Sequence, residues 1–233
     1  MMTEFQNQEV SKYLSEKRLP LDLLYEVKDH MISQIYDLQK EENFSFEEAF
    51  EKAKISWQEE LTMVNENWFT QKKISILHKK IIYKRLKSFY TKSFAAVGVL
   101  FLFYFFVYKF YGVHYFSQLF VVVNVALLVF GLMYGIRNRK ILNTTKKSYS
   151  IKFSIYQRPS NILYMGVLYV FIFLVSNYEK RIENIHNVYD GMWDYKSFLN
   201  TSLCFMTYFL FFNGFLLFAK YKEVIEAHRF ELK

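Results

Sequence analysis

The 233-residue chain carries 30 Lys and Arg against 22 Asp and Glu, a formal net charge of +8. That charge is segregated: residues 1–71 hold fifteen acids and seven bases, and the remainder seven acids and twenty-three bases. An acidic front half repels nucleic acid, and the later bases flank apolar runs, where membrane-protein loops place them; a nucleic-acid binder is argued against on both counts. The single cysteine, Cys204, rules out a disulfide framework or a CxxC zinc spacing. Its apolar surroundings predict a buried, inert thiol. The polar first forty residues offer no signal-peptide core, so the first span is expected to act as the insertion signal.

Helix breakers are nearly absent at the front: the prolines are Pro20 and Pro159, and the first glycine is Gly98. A short polar helix is predicted over 4–17, ending before Leu19-Pro20, because the residue ahead of proline is pushed out of the helical region. A second helix over 21–40 presents Leu24, Val27, Met31, Ile35 and Leu38 at three- and four-residue steps. Ser45 with Glu48 forms a capping box that opens a third helix, whose apolar face is Phe46, Ala49, Phe50, Ala53, Trp57 and Leu61. Three such helices make only a small core.

Residues 72–92 hold eight bases and no acid, interleaved with apolar side chains. A membrane span follows directly, so this stretch reads as a helical collar on anionic lipid rather than a nucleic-acid patch, with Lys79, Lys80, Lys84, Arg85 and Lys87 as its lipid-contacting candidates. Four apolar runs come next, at 94–110, 116–136, 162–177 and 198–219. A helix needs about 20 apolar residues to cross about 30 Å of hydrocarbon; the second and fourth meet that, and the others need interfacial residues. Tyr90, Tyr111, Tyr115, Tyr178, Trp193, Tyr195 and Tyr221 are expected to form aromatic belts. The loop 137–158 has seven bases and no acid, with Arg137, Arg139 and Lys140 as further lipid contacts, whereas the loop 178–197 has three bases and four acids. The positive-inside rule then places both termini in the cytoplasm.

Gly131 and Gly135 form a GxxxG in the second run and are candidate helix-packing positions, as are the polar residues Asn124 and Asn213. Asn200, Thr201, Ser202 and Thr207 are expected to hydrogen-bond between helices. No apolar run holds an ionisable side chain at mid-membrane, which disfavours an ion pump. No hydrolase, P-loop, dinucleotide or HExxH motif occurs, and Glu26 with His30 reads as a surface pair rather than a metal site. No catalytic residue, cofactor or metal is therefore expected. Ile182, Ile185, Tyr189, Met192 and Trp193 suggest an interfacial helix on the outer leaflet.

The segment from Tyr13 to Leu61 resembles the HAAS or permease-prefix type of domain of bacterial membrane proteins. The match rests on Tyr13-Leu14-Ser15, Leu19-Pro20, Glu26 with Asp29-His30, and Phe44-Ser45-Phe46-Glu47-Glu48-Ala49-Phe50. Where that family often has a Gly-Asp or Gly-Pro turn, Ile55-Ser56-Trp57-Gln58 continues the helix. The resemblance implies a cytoplasmic sensing or docking module at the bacterial inner membrane, with a PadR-like regulator as one kind of partner.

The expectation is an all-α protein: a cytoplasmic three-helix domain (1–70), a basic juxtamembrane helix (71–93), a four-helix transmembrane bundle (94–219) and a cytoplasmic tail (220–233). Its function is read as a non-enzymatic membrane regulator or scaffold whose acids Glu47, Glu51, Glu59 and Glu60 dock a partner. The alternative is a transporter or transporter subunit with a permease-prefix domain, paired with another membrane subunit or with further copies of itself. With no proline or glycine between Phe46 and Phe94, the third helix is expected either to couple through the collar to the first span or to hang from a passive tether.

Overall fold

Two capping boxes set the first and third helices. The Thr3 hydroxyl accepts from the Gln6 amide at 3.3 Å and the Gln6 side chain accepts from the Thr3 amide at 2.9 Å, opening α1 (Glu4–Glu16). Ser45 and Glu48 exchange the same pair of bonds at 3.2 and 2.9 Å to open α3 (Phe46–Leu61), as the spacing predicts. Between them, α2 (Leu21–Glu41) starts after Pro20. The computed structural model describes residues 2–67, 70–146, 154–157, 159–176, 178–192 and 194–227. By internal packing they fall into two units, one built on Met1–Leu86 with Ser154 and Ile155, the other on Lys87–Lys147 and Tyr156–Glu226.

In the first unit, Val10 and Leu14 of α1, Val27, Met31 and Ile35 of α2, and Ala49, Phe50 and Ala53 of α3 share one core. The α2 face is rotated slightly from the expected one: Leu23 is buried, while Leu24 and Leu38 pack at its edge. Trp57 also sits at the edge and donates its indole N–H to Gln34 at 2.9 Å. Helix α3 runs without a break through Ile55–Gln58, the stretch where the chain departs from the HAAS pattern.

The expected helix over 71–93 is corrected at its start. Strands β1 (Met63–Asn67) and β2 (Thr70–Ser75) form an antiparallel hairpin, pairing Met63 with Ser75 and Val64 with Ile74. The expected domain boundary at residue 70 therefore falls inside a paired element, and α3 does not run on into the collar. Helix α4 begins only at Ile76, where the Ser75 hydroxyl accepts from the His78 amide at 3.1 Å. Leu77 and Ile81 of its opening turns join the three-helix core, so that core is larger than three helices alone supply. Apart from this hairpin, the described chain is helical, in keeping with the expected class.

Helix α4 (Ile76–Arg137) turns back on itself at Gly112, whose φ of 85° and ψ of 176° are open to glycine at little cost. Tyr104 and Phe120 make ring contact at 5.7 Å, as do Tyr108 and Phe116 at 6.0 Å. Sixteen residues of straight helix would hold the first pair about 24 Å apart, so the two arms lie side by side. Helix α5 (Arg139–Lys146) follows; then a 3-10 turn (Pro159–Asn161), α6 (Ile162–Val175), α7 (Tyr178–Tyr189) and α8 (Tyr195–Ala227) complete the second unit. Among the described residues α4 and α8 are each long and apolar enough to cross a membrane. Helix α6 spans only about 21 Å at 1.5 Å per residue, and meets α7 at a 97° bend.

The glycines show where these helices touch. A Cβ on Gly214 of α8 would stand 2.5 Å from the Leu163 backbone of α6, and one on Gly166 of α6 would stand 2.6 Å from the Phe211 backbone of α8. Ile182 and Ile185 of α7 are buried with Phe173, Cys204 and Tyr208, so its apolar face packs into the bundle rather than onto a lipid leaflet. Trp193 and the bases Lys147, Lys152 and Arg158 lie outside the described residues.

Candidate functional site

One stripe of α2 carries several of the polar contacts of the first unit, among them its contacts to Arg85, Ser154 and Ile155. Asp22, Glu26 and Asp29 recur at four- and three-residue steps and so share a face. The Asp22 carboxylate accepts from the Leu23 amide at 2.9 Å, the Ser154 hydroxyl at 2.8 Å and the Ile155 amide at 3.3 Å. Burial raises its pKa above the ordinary carboxylate value, and the hydrogen bonds from Ser154 and Ile155 oppose that rise. Glu26 pairs with Arg85 at 3.3 Å rather than with His30. Asp29 and His30 remain exposed on the same stripe.

The expected docking acids of α3 do not form one patch. Glu47 and Glu51 are exposed and one turn apart, while Glu59 and the half-buried Glu60 project in two other directions. Glu51 pairs with Lys54. Glu48 has its pKa lowered by the hydrogen bonds it shares with Ser45.

The expected lipid-contacting bases divide by exposure. Lys80, Lys84, Lys87, Arg137, Arg139 and Lys140 are exposed, whereas Arg85 is committed to Glu26 and Lys79 donates to the Asn65 carbonyl at 3.2 Å. Of the tyrosines expected in aromatic belts, Tyr90, Tyr111, Tyr115, Tyr178 and Tyr195 are exposed, whereas Tyr221 is buried, its hydroxyl 2.8 Å from that of Thr144.

Inside the bundle, Asn124 donates to the Tyr208 hydroxyl and to the Phe120 carbonyl, both at 2.8 Å, and the Tyr208 hydroxyl lies 3.2 Å from that of Tyr104. This joins both arms of α4 to α8. Asn213 is buried, and among the described residues neither its Oδ1 nor that of Asn124 has a hydrogen-bond partner. The other polar residues of α8 depart from expectation: Asn200 and Thr207 bond carbonyls of their own helix, at Lys196 and Leu203, and Ser202 is exposed. Of the GxxxG pair, Gly131 is a true close approach, since a Cβ there would lie 2.7 Å from the Val167 side chain. Gly135 is not, because its Cβ would meet nothing nearer than Leu142 at 3.8 Å.

At the opposite end of the bundle, Asp190 accepts from the Tyr108 hydroxyl at 2.6 Å and from Lys109 at 3.0 Å, with His186 3.4 Å away. These hydrogen bonds hold its pKa below the ordinary value. Lys109, near the end of the first apolar run, thus pairs with an acid.

The sequence pattern missed Asp22, Gly166, Gly214, Tyr104 and Tyr208. Small residues at 166 and 214 within apolar runs were a usable signal for close helix contact; Asp22, beside a proline at a helix start, looked like ordinary first-turn chemistry. No protein-family model matches the chain, and no curated protein or solved structure matches it either.

Proposed function

We propose that the chain is a non-enzymatic regulatory or scaffold protein of the bacterial inner membrane. In this reading it crosses the bilayer four times, by the two arms of α4, by α6 with its flanking turn, and by α8, with both termini in the cytoplasm. The turn at Gly112 supports the count, because it makes one long apolar helix into two antiparallel arms. The base-rich loop 137–158 supports the orientation. The cytoplasmic unit docks a partner, with a PadR-like regulator as the class implied by the family resemblance, and the exposed bases sit on anionic headgroups.

The observation that carries the docking role is the exposed acid pair Glu47 and Glu51 on the outer side of a helix whose other side is fully engaged in the core. Both are exposed, Glu51 beside its partner Lys54, and acidic groups so placed suit a basic partner surface. Charge reversal at both, Glu47→Lys with Glu51→Lys, tests it. Crosslinking of cytoplasmic proteins to the full chain in intact cells is expected to lose its principal adduct, while the protein still inserts in the membrane. An unchanged adduct pattern rejects this face as the docking surface.

A further inference from the structure

Between the second arm of α4 and α6, within the second unit, lies a trough of about 650 Å³. Leu128, Leu132, Val167 and Phe171 line its apolar wall, and Arg139 and Asn143 line it from α5. We infer that this trough seats one anionic phospholipid of the surrounding bilayer, an acyl chain along the apolar wall and the phosphate at Arg139.

Three observations converge on that occupant. The first is length. From Leu128 to Arg137, where α4 ends, the helix rises about 14 Å, close to half of a hydrocarbon core of about 30 Å, and Arg139 opens α5 two residues on. The apolar part therefore matches one leaflet, and its charged end falls where headgroups begin. The second is charge. Arg139 is exposed and has no ion-pair partner among the described residues, Arg137 and Lys140 flank it, and no acid occurs between Arg137 and Arg158. A neutral lipid would leave that guanidinium unanswered, whereas a phosphodiester accepts its forked hydrogen bonds. The third is Gly135. It lines the trough, yet no helix approaches it closely enough to require glycine. Its missing side chain keeps the trough open, in contrast to Gly131, where Val167 closes in. The volume lies within the range of about 300–1,000 Å³ typical of small-molecule sites.

This goes beyond a collar of bases on a membrane surface, and it rests on the reading that the second arm crosses the bilayer. A collar makes its bases interchangeable; a seat does not. The test uses the purified full chain, exchanged into an equimolar mixture of phosphatidylglycerol and phosphatidylcholine, with retained lipid counted by native mass spectrometry. One phosphatidylglycerol per chain is expected to be retained. Arg139→Gln is expected to cut the preference for phosphatidylglycerol about fivefold, corresponding to about 1 kcal/mol per base at a lipid surface, while Arg137→Gln and Lys140→Gln leave it nearly unchanged. Gly135→Leu, whose Cβ has room, is expected to fill the trough and abolish retention of either lipid without altering the melting temperature. Equal effects of the three charge substitutions, retention undiminished in Gly135→Leu, or no retained phosphatidylglycerol each overturn the proposal. Displacement of the phospholipid by equimolar oleate also overturns it, since a carboxylate would then be the preferred head. A chain that did not cross the bilayer would fail differently, by being extracted from membranes at alkaline pH.

Discussion

Asp22 accepts a hydrogen bond from Ser154 at 2.8 Å, although 132 positions of chain separate them. The next amide, that of Ile155, points at the same carboxylate oxygen, and both Ser154 and Ile155 are buried in the first unit. A residue at the start of α2 thus fixes a segment that sequence order places between α5 and α6. Removing the carboxylate should release that segment. In Asp22→Ala, hydrogen exchange at the Ile155 amide is expected to accelerate markedly relative to wild type. A double-mutant cycle with Ser154→Ala should return a coupling of about 1 kcal/mol, the net worth of one such bond. Additive single effects would show that the contact contributes nothing.

The same carboxyl gives a pH dependence of defined sign. Its folded-state pKa is raised by burial, so the folded chain holds the proton more tightly than the unfolded chain does. The stabilising contribution is full below the unfolded value and is lost as pH rises through the folded one. The stability of wild type relative to Asp22→Asn should therefore decline as pH rises from about 4, a carboxylate's ordinary range. Denaturant midpoints of the two proteins, compared from acid to neutral pH, measure it; a difference that grows with pH contradicts the assignment.

Glu48 should behave in the opposite way. Its pKa is lowered by its bonds with Ser45, so the cap contributes at neutral pH and is lost as pH falls through the folded value. Titration of this carboxyl by NMR should give a value below that of an unstructured glutamate. Ser45→Ala should cost about 1 kcal/mol of stability in the first unit, read as an earlier first transition in the full chain.

Close backbone contact between α6 and α8 predicts a graded response at four glycines. Ala at 166 or 214 puts a Cβ 2.6 or 2.5 Å from the facing backbone, which cannot move aside as a side-chain tip can. Each should destabilise the bundle by roughly 1–3 kcal/mol, or prevent its assembly. Gly131→Ala meets a side chain at 2.7 Å and should fall between, while Gly135→Ala should be nearly silent. Melting of the four variants in detergent orders them, and an equal response at 135 and 214 would refute the contact map.

Much of this was readable in advance, and the reasons for the rest are physical. Helical periodicity and the Ser45–Glu48 spacing placed α2 and α3, because both signals are local. The hairpin escaped because its strands are five and six residues long and lack the glycine turn that usually announces one. The Ser75 cap lies inside a base-rich stretch whose interleaved apolar residues read as helix from residue 71 onward. The apolar runs identified the long helices, whose composition is a property of sequence alone. Which face of each helix met its neighbour depended on tertiary packing, so Gly131 was found and Gly166 and Gly214 were not. Asp22 was illegible because its partners lie 132 and 133 positions away.

The proposed four crossings, with both termini in the cytoplasm, are tested most directly by reporter fusions active only outside it. One fusion follows Lys233 and the other follows a truncation at Val113, beside the Gly112 turn. The account predicts silence after Lys233 and activity after Val113; activity after Lys233, or silence after Val113, contradicts it.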